Sequence, residues 1–144
     1  MFSQEVSFDS VPLNFTVIDS LSSFCFSGKK AGFLKNTEFG FSLKFTPKKL
    51  NTTKTSILKF EAMVSSKEIL KECLVCLSIK DKDQDLAFLV VDLANFDQSK
   101  LWNKNEVLFT VPKFTNANYE INVLVWNKGK NAIYCDDLKV TVYQ

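Results

Sequence analysis

The sequence contains no histidine, and all 18 of its basic residues are lysines. Those absences remove imidazole acid–base and metal chemistry, and they remove guanidinium clamps on phosphate or carboxylate. Carboxylates, lysines, thiols and aromatic rings remain. Asp81, Asp83 and Asp85 alternate with Lys82 and Gln84 in the rhythm of a calcium loop. The glycine and distal glutamate of an EF-hand are missing, so the segment reads as a solvated turn. Two carboxylates suffice for glycoside hydrolysis, yet no pair among the 16 acids is singled out by its spacing. No nucleophile has a histidine to activate it, and no glycine-rich loop could cradle a phosphate. The expectation is a protein that is not an enzyme.

Four cysteines, Cys25, Cys73, Cys76 and Cys135, permit three full pairings, and the sequence does not choose among them. Cys73 and Cys76 have C-x-x-C spacing but lead into an apolar run that reads as a strand. Strand residues three apart point to opposite faces, so the pair does not converge on a metal or a disulfide. No second C-x-x-C and no histidine complete a zinc site. Free thiols, buried or half-buried, are expected.

Strands must position whatever chemistry these groups do. With 144 residues, 46% hydrophobic and 14 phenylalanines, the chain has material for one core, and residues 1–144 read as a single domain. Phe39, Phe41, Leu43 and Phe45 share one phase of a strand that Pro47 ends. Further strands are expected over 57–64, 74–79, 86–92, 107–111, 121–126 and, after 132–135, over 138–143. Leu138, Val140 and Val142 of the last form a clean apolar face, and Trp126 shares a face with Asn122 and Leu124. The 127–131 turn gives Gly129 as the natural place for a positive φ. Residues 66–74 have helical spacing, or form a loop entering the next strand. The fold class is all-β, a two-sheet antiparallel β-sandwich. No apolar run approaches the roughly 20 residues that cross a bilayer, and no signal peptide is visible at the start. A net charge of +2 with scattered lysines argues against nucleic acid.

The C-terminal run Val123-Leu124-Val125-Trp126-Asn127-Lys128-Gly129-Lys130, followed by Ile133-Tyr134-Cys135-Asp136-Asp137-Leu138-Lys139-Val140, resembles the last two strands of a known family. These are the galactose-binding-like β-jelly rolls, which include many carbohydrate-binding modules of secreted glycoside hydrolases. Phe8-Asp9 and Ser27-Gly28-Lys29-Lys30-Ala31-Gly32 resemble that family's opening acid and its Ser-Gly-Lys segment. The resemblance implies a sandwich of jelly-roll type whose first and last strands lie together, making Asp9 and Asp136 neighbours. It also implies a structural Ca²⁺ held by Asp9, Asp136 and backbone carbonyls near Lys30, the hard-oxygen chemistry that calcium prefers. In the phase of Leu138, Asp136 points inward, where a carboxylate needs a cation or several donors. The alternative is an Asp-Asp turn that caps local N–H groups.

The same likeness implies carbohydrate as the ligand, since an aromatic ring can stack on the C–H face of a pyranose while amides fix its orientation. Trp102 with Asn103, and Trp126 with Asn122 and Tyr119, are the candidate ligand-binding residues; Tyr134 and Tyr143 are further rings. Trp102 stands in a polar loop, whereas Trp126 could equally be structural. The protein is then a secreted or cell-surface monomer or an accessory module, with no nucleic-acid or membrane partner; a cytosolic location stays open. The alternative function is a structural or protein-interaction sandwich without a sugar site.

Overall fold

The computed structural model describes residues 2–6, 15–17, 20–22, 24–29, 31–36, 38–45, 55–81, 84–93, 100–111 and 119–143. Among them there are eleven strands and no helix. One sheet has the order β3 (Ser20–Ser22), β4 (Ala31–Leu34), β11 (Ile133–Tyr143), β6 (Ser56–Ser65) and β9 (Asn103–Val111), with β1 (Phe2–Val6) also paired to β11. The other runs β2 (Phe15–Val17), β5 (Phe39–Phe45), β10 (Tyr119–Asn127), β7 (Cys73–Asp81) and β8 (Gln84–Asp92). Every pairing is antiparallel. The all-β sandwich expected from the alternation is the fold observed.

Alternation sets which side chains enter the core. Leu58, Phe60, Ala62 and Val64 of β6 are buried with Val75, Leu77 and Ile79 of β7, one sheet against the other. First and last strands pair as expected, with Phe2 opposite Val142 and Val6 opposite Leu138. Of residues 66–74, given above either helical spacing or a loop entering the next strand, 73–74 begin β7 and 66–72 form that loop. They are held from outside by the 127–132 turn. Asn131 Nδ2 donates to the Lys71 carbonyl at 2.8 Å, and its Oδ1 accepts the Lys71 N–H at 3.0 Å. Buried Asn127 closes a second ring, its Nδ2 donating to the Asn131 carbonyl while its Oδ1 accepts the Asn131 N–H. A long-range lock of this kind overrides weak local helical spacing.

Gly129 is needed for a different reason from the one expected. The positive φ of that turn falls on Lys130, at 52°. A Cβ on residue 129 would lie 2.0 Å from the Lys71 carbonyl oxygen. Close approach of two backbones, not handedness, demands the glycine.

β11 contains the feature that shapes the site. Cys135 pairs with Val64 and Asp136 with Met63, but Lys139 then pairs with Glu61, so Asp137 and Leu138 together oppose Ala62. This is a β-bulge, with Asp137 in the left-handed region at φ 48°. The extra residue switches the inward phase from Ile133 and Cys135 to Leu138, Val140 and Val142, all buried. Asp136 therefore shares the outer face with its partner Met63. The inward orientation expected for Asp136 is corrected: the phase of Leu138 does not extend back across the bulge.

Candidate functional site

Asp136 is only 1% exposed although it stands on an outer face, because the segment 24–29 lies over it. Its Oδ2 accepts the N–H of Phe26 at 2.9 Å and that of Ser27 at 3.1 Å. Its Oδ1 accepts the N–H of Asp137 at 2.8 Å, and the Ser27 hydroxyl donates to Asp137. Burial raises the Asp136 pKa above the ordinary carboxylate value, opposed by the three N–H donors. Asp136 is thus a clamp that fixes a loop across the bulge by capping its N–H groups. Three of the roughly four lone-pair sites of a carboxylate are already used here. No group of three or more Asp, Glu, His or Cys side chains able to hold a metal gathers among the described residues. Asp9 and Lys30, the other residues of the calcium site that the resemblance implies, lie outside the described residues.

What the clamp positions is aromatic. Phe24 stacks on Trp102 at 5.3 Å between ring centroids and meets Tyr134 edge-on at 4.9 Å. Phe26 packs edge-on against Trp102 at 6.0 Å, and Phe33 stacks on Tyr134 at 4.5 Å. Five rings from the 24–29 loop, β4, the loop before β9 and β11 thereby form one cluster on the outer face of the six-stranded sheet. Phe26 is still 49% exposed.

Beside the cluster opens a pocket of ≈590 Å³. Phe24 and Tyr134 supply its rings, Leu101 adds an apolar edge, and Lys67 and Lys100 bring ammonium groups. Ser65 and Ser66 complete the lining. The 66–72 wall is anchored by the Asn131–Lys71 lock and by Ser66, whose hydroxyl donates to the Ala132 carbonyl at 2.8 Å. The volume falls within the range of small-ligand sites.

Of the residues singled out in the sequence, Trp102 lies in this aromatic cluster. Asn103, expected beside it as a ligand-facing amide, is turned inward and is 5% exposed, because β9 alternates and its odd positions face the core. That expectation is corrected. Trp126 and Asn122 lie elsewhere, on the outer face of the five-stranded sheet. Trp126 is half-buried, stacked on Phe39 at 5.7 Å, with Nε1–H donating to Glu38 at 3.1 Å and the Lys128 ammonium 5.9 Å from the ring centroid. Asn122 lines a smaller groove of ≈250 Å³ with Lys44, Ser78 and Phe88, which register places in one row across four strands. Its Oδ1 is buried without a hydrogen-bond partner among the described residues. The backbone of Tyr119 pairs with Asp81; its side chain is outside the described part.

Sequence reasoning missed Phe24, Lys67 and Lys100, which come from three separate segments. Of the pocket's lining, Tyr134 is among the further rings named from the sequence. All four cysteines are free, Cys73, Cys76 and Cys135 being buried. Burial pushes the Cys73 thiol up to about 12 and Cys76 to about 11.

No protein-family model matches the sequence, and no curated protein matches it either. Solved structures do match. The family 35 carbohydrate-binding module (CBM35) from Cellvibrio japonicus Abf62 superposes with a TM-score of 0.59 at 11% identity, over 99% of this chain and 96% of that one. The C-terminal family 22 carbohydrate-binding module of Clostridium thermocellum Xyn10B gives 0.62 at 13% identity, covering 96% and 92%. A family 16 carbohydrate-binding module gives 0.52 at 20% identity, covering 92% and 88%. The fold is the β-jelly roll of the carbohydrate-binding modules. At such identities the likeness concerns the fold and leaves the ligand to be argued from the residues.

Proposed function

We propose that the chain is a non-catalytic carbohydrate-binding module whose site is the pocket beside the Phe24–Trp102–Tyr134 cluster. The observation that carries this reading is the placement of five rings from four segments beside one open pocket that also presents ammonium and hydroxyl groups. A pyranose offers an apolar C–H face and a rim of hydroxyls, and such a lining matches both. The described lining contains no carboxylate, so it offers no acid–base pair for glycoside hydrolysis. The fold supports the reading too, since the matching structures are carbohydrate-binding modules. With it go an extracellular setting and attachment to a larger protein as an accessory module.

Native affinity electrophoresis in gels containing soluble polysaccharides tests the proposal. Retardation by at least one of xylan, galactan, mannan or polygalacturonate is expected. It should be lost in Tyr134→Ala and weakened in Leu101→Asp, the latter changing a residue 67% exposed and so leaving the fold intact. Migration unchanged in every gel overturns the proposal.

A second reading, the protein-interaction sandwich, has one observation in its favour. Edge strand β8 exposes Leu86, Phe88, Val90 and Val91, with Phe88 57% exposed. An apolar edge of that kind offers backbone hydrogen bonds to another chain. Retention of a partner polypeptide that Phe88→Lys abolishes, with no polysaccharide bound, would favour it.

A further inference from the structure

Resting on the reading of the pocket as a glycan site, we infer that its ligand is an anionic glycan, one whose sugars carry carboxylate or sulfate groups. The argument is the local charge. Lysines and acids nearly balance over the whole chain, 18 against 16, so a wall with cations and no acids is a property of place. Lys67 and Lys100 both line the pocket, they come from separate loops, and no Asp or Glu joins them in the described lining. Neither ammonium has an ion pair among the described residues, although six such contacts occur elsewhere on the surface. Glu68, adjacent to Lys67 in sequence, is not in that lining and reaches the Ala132 N–H instead.

The smaller groove on the opposite sheet provides the contrast. Its two lysines, Lys44 and Lys80, are matched by Asp85 and Glu120, and Lys80 pairs with Asp85 at 3.6 Å. That groove is neutral in sum. Of these two sites the ring-lined pocket concentrates one sign of charge, and two like charges beside one cavity gain most from a ligand of opposite sign. Lysine is a point-charge donor that accepts a carboxylate or a sulfate ester alike. The rings bind the pyranose and the ammonium groups select for its charge.

The test measures affinity by titration calorimetry for polygalacturonate, the same polymer fully methyl-esterified, xylan, dextran sulfate and poly-glutamate. Each lysine on an open rim should contribute about two- to fivefold in affinity. Polygalacturonate or dextran sulfate should therefore bind up to about twentyfold more tightly than its uncharged counterpart at low salt. That margin should shrink as salt is raised. Lys67→Gln with Lys100→Gln should erase the margin, while Lys35→Gln, a change of an exposed lysine outside the pocket, leaves it in place. Which polyanion binds identifies the anionic group. If xylan or the methyl ester binds as tightly as polygalacturonate and the double variant is unaffected, the charge inference fails while the glycan site stands. If poly-glutamate binds as well as the acidic sugars, the pocket is a simple ion exchanger and the inference fails. If no polysaccharide binds at all, the glycan reading itself falls and takes this inference with it.

Discussion

Replacing Asp136 by asparagine changes one atom in a clamp of three hydrogen bonds, so its effect can be worked out. An amide oxygen in the place of Oδ2 still accepts the N–H groups of Phe26 and Ser27. The amide nitrogen then faces the Asp137 N–H, donor against donor, where Oδ1 accepted it before. One charge-assisted bond is lost, roughly 1.5–3 kcal/mol, and two are weakened to ordinary strength. Relief of anion desolvation offsets part of this, because burial is the largest influence on this carboxyl and raises its pKa. The net expectation is about 1–2 kcal/mol of destabilisation, or roughly 3–6 °C in melting temperature for a chain of this size.

The pH dependence gives a sharper test. A carboxyl whose native pKa is raised holds its proton more tightly folded than unfolded. Its contribution is fully present below the unfolded value of about 3.9 and is lost as pH rises through the raised native midpoint. Wild type should therefore gain on Asp136→Asn as the pH falls from 7 towards about 4. A salt-bridged aspartate would do the reverse. Thermal melts followed by circular dichroism at several pH values provide the measurement. The emission of Trp102 in a Trp126→Phe background reports whether the 24–29 loop stays packed. Equal melting temperatures at pH 7, or a deficit that narrows on acidification, would refute the account of the clamp.

Gly129→Ala should cost about 2–4 kcal/mol by denaturant unfolding, since its Cβ meets the Lys71 carbonyl and nothing in a backbone can fold away; a loss within half a kcal/mol would remove the close approach as the reason for the glycine. Ellman's reagent at pH 8 should titrate one thiol in the native protein and four after denaturation, because Cys73, Cys76 and Cys135 are buried and held protonated while Cys25 is half-exposed; fast reaction of two or more native thiols would contradict that. Melting temperature in excess chelator should stay within about a degree of that in millimolar calcium, given that N–H groups already satisfy Asp136; a rise of several degrees with calcium would restore the metal site implied by the family resemblance. Asn131→Ala should free the 66–72 wall and weaken glycan binding as well as lowering stability, and amide exchange at Lys71 should accelerate most.

Alternation made the architecture legible. Phe41 and Leu43, and then Val123 and Val125, stand inward as their spacing requires, and the pairing of both chain ends followed from the likeness of their motifs. The bulge was also written in the chain: Ile133 and Cys135 are apolar at odd positions, while Leu138, Val140 and Val142 are apolar at even ones. Reading the Leu138 phase back to Asp136 ignored that switch. The 66–72 loop was harder, because Ile69 and Cys73, like Leu70 and Leu74, have helical spacing, and contacts from Asn131 and Ala132, sixty or more residues away, decide against it. The pocket lay beyond sequence reasoning for the same reason. Phe24 touches Trp102 and Tyr134 across separations that no local pattern encodes.

The position of β11 has a consequence for how the molecule comes into being. It comes last in sequence among the eleven described strands, yet it occupies the middle of its sheet, with β6 along one edge and β4 and β1 along the other. Without β11 those three strands have no common neighbour, and residues 2–6 find their partner only more than 130 positions along the chain. The six-stranded layer is therefore joined through a strand distant in sequence from its partners, and loss of residues 133–143 removes the centre of that layer rather than its margin.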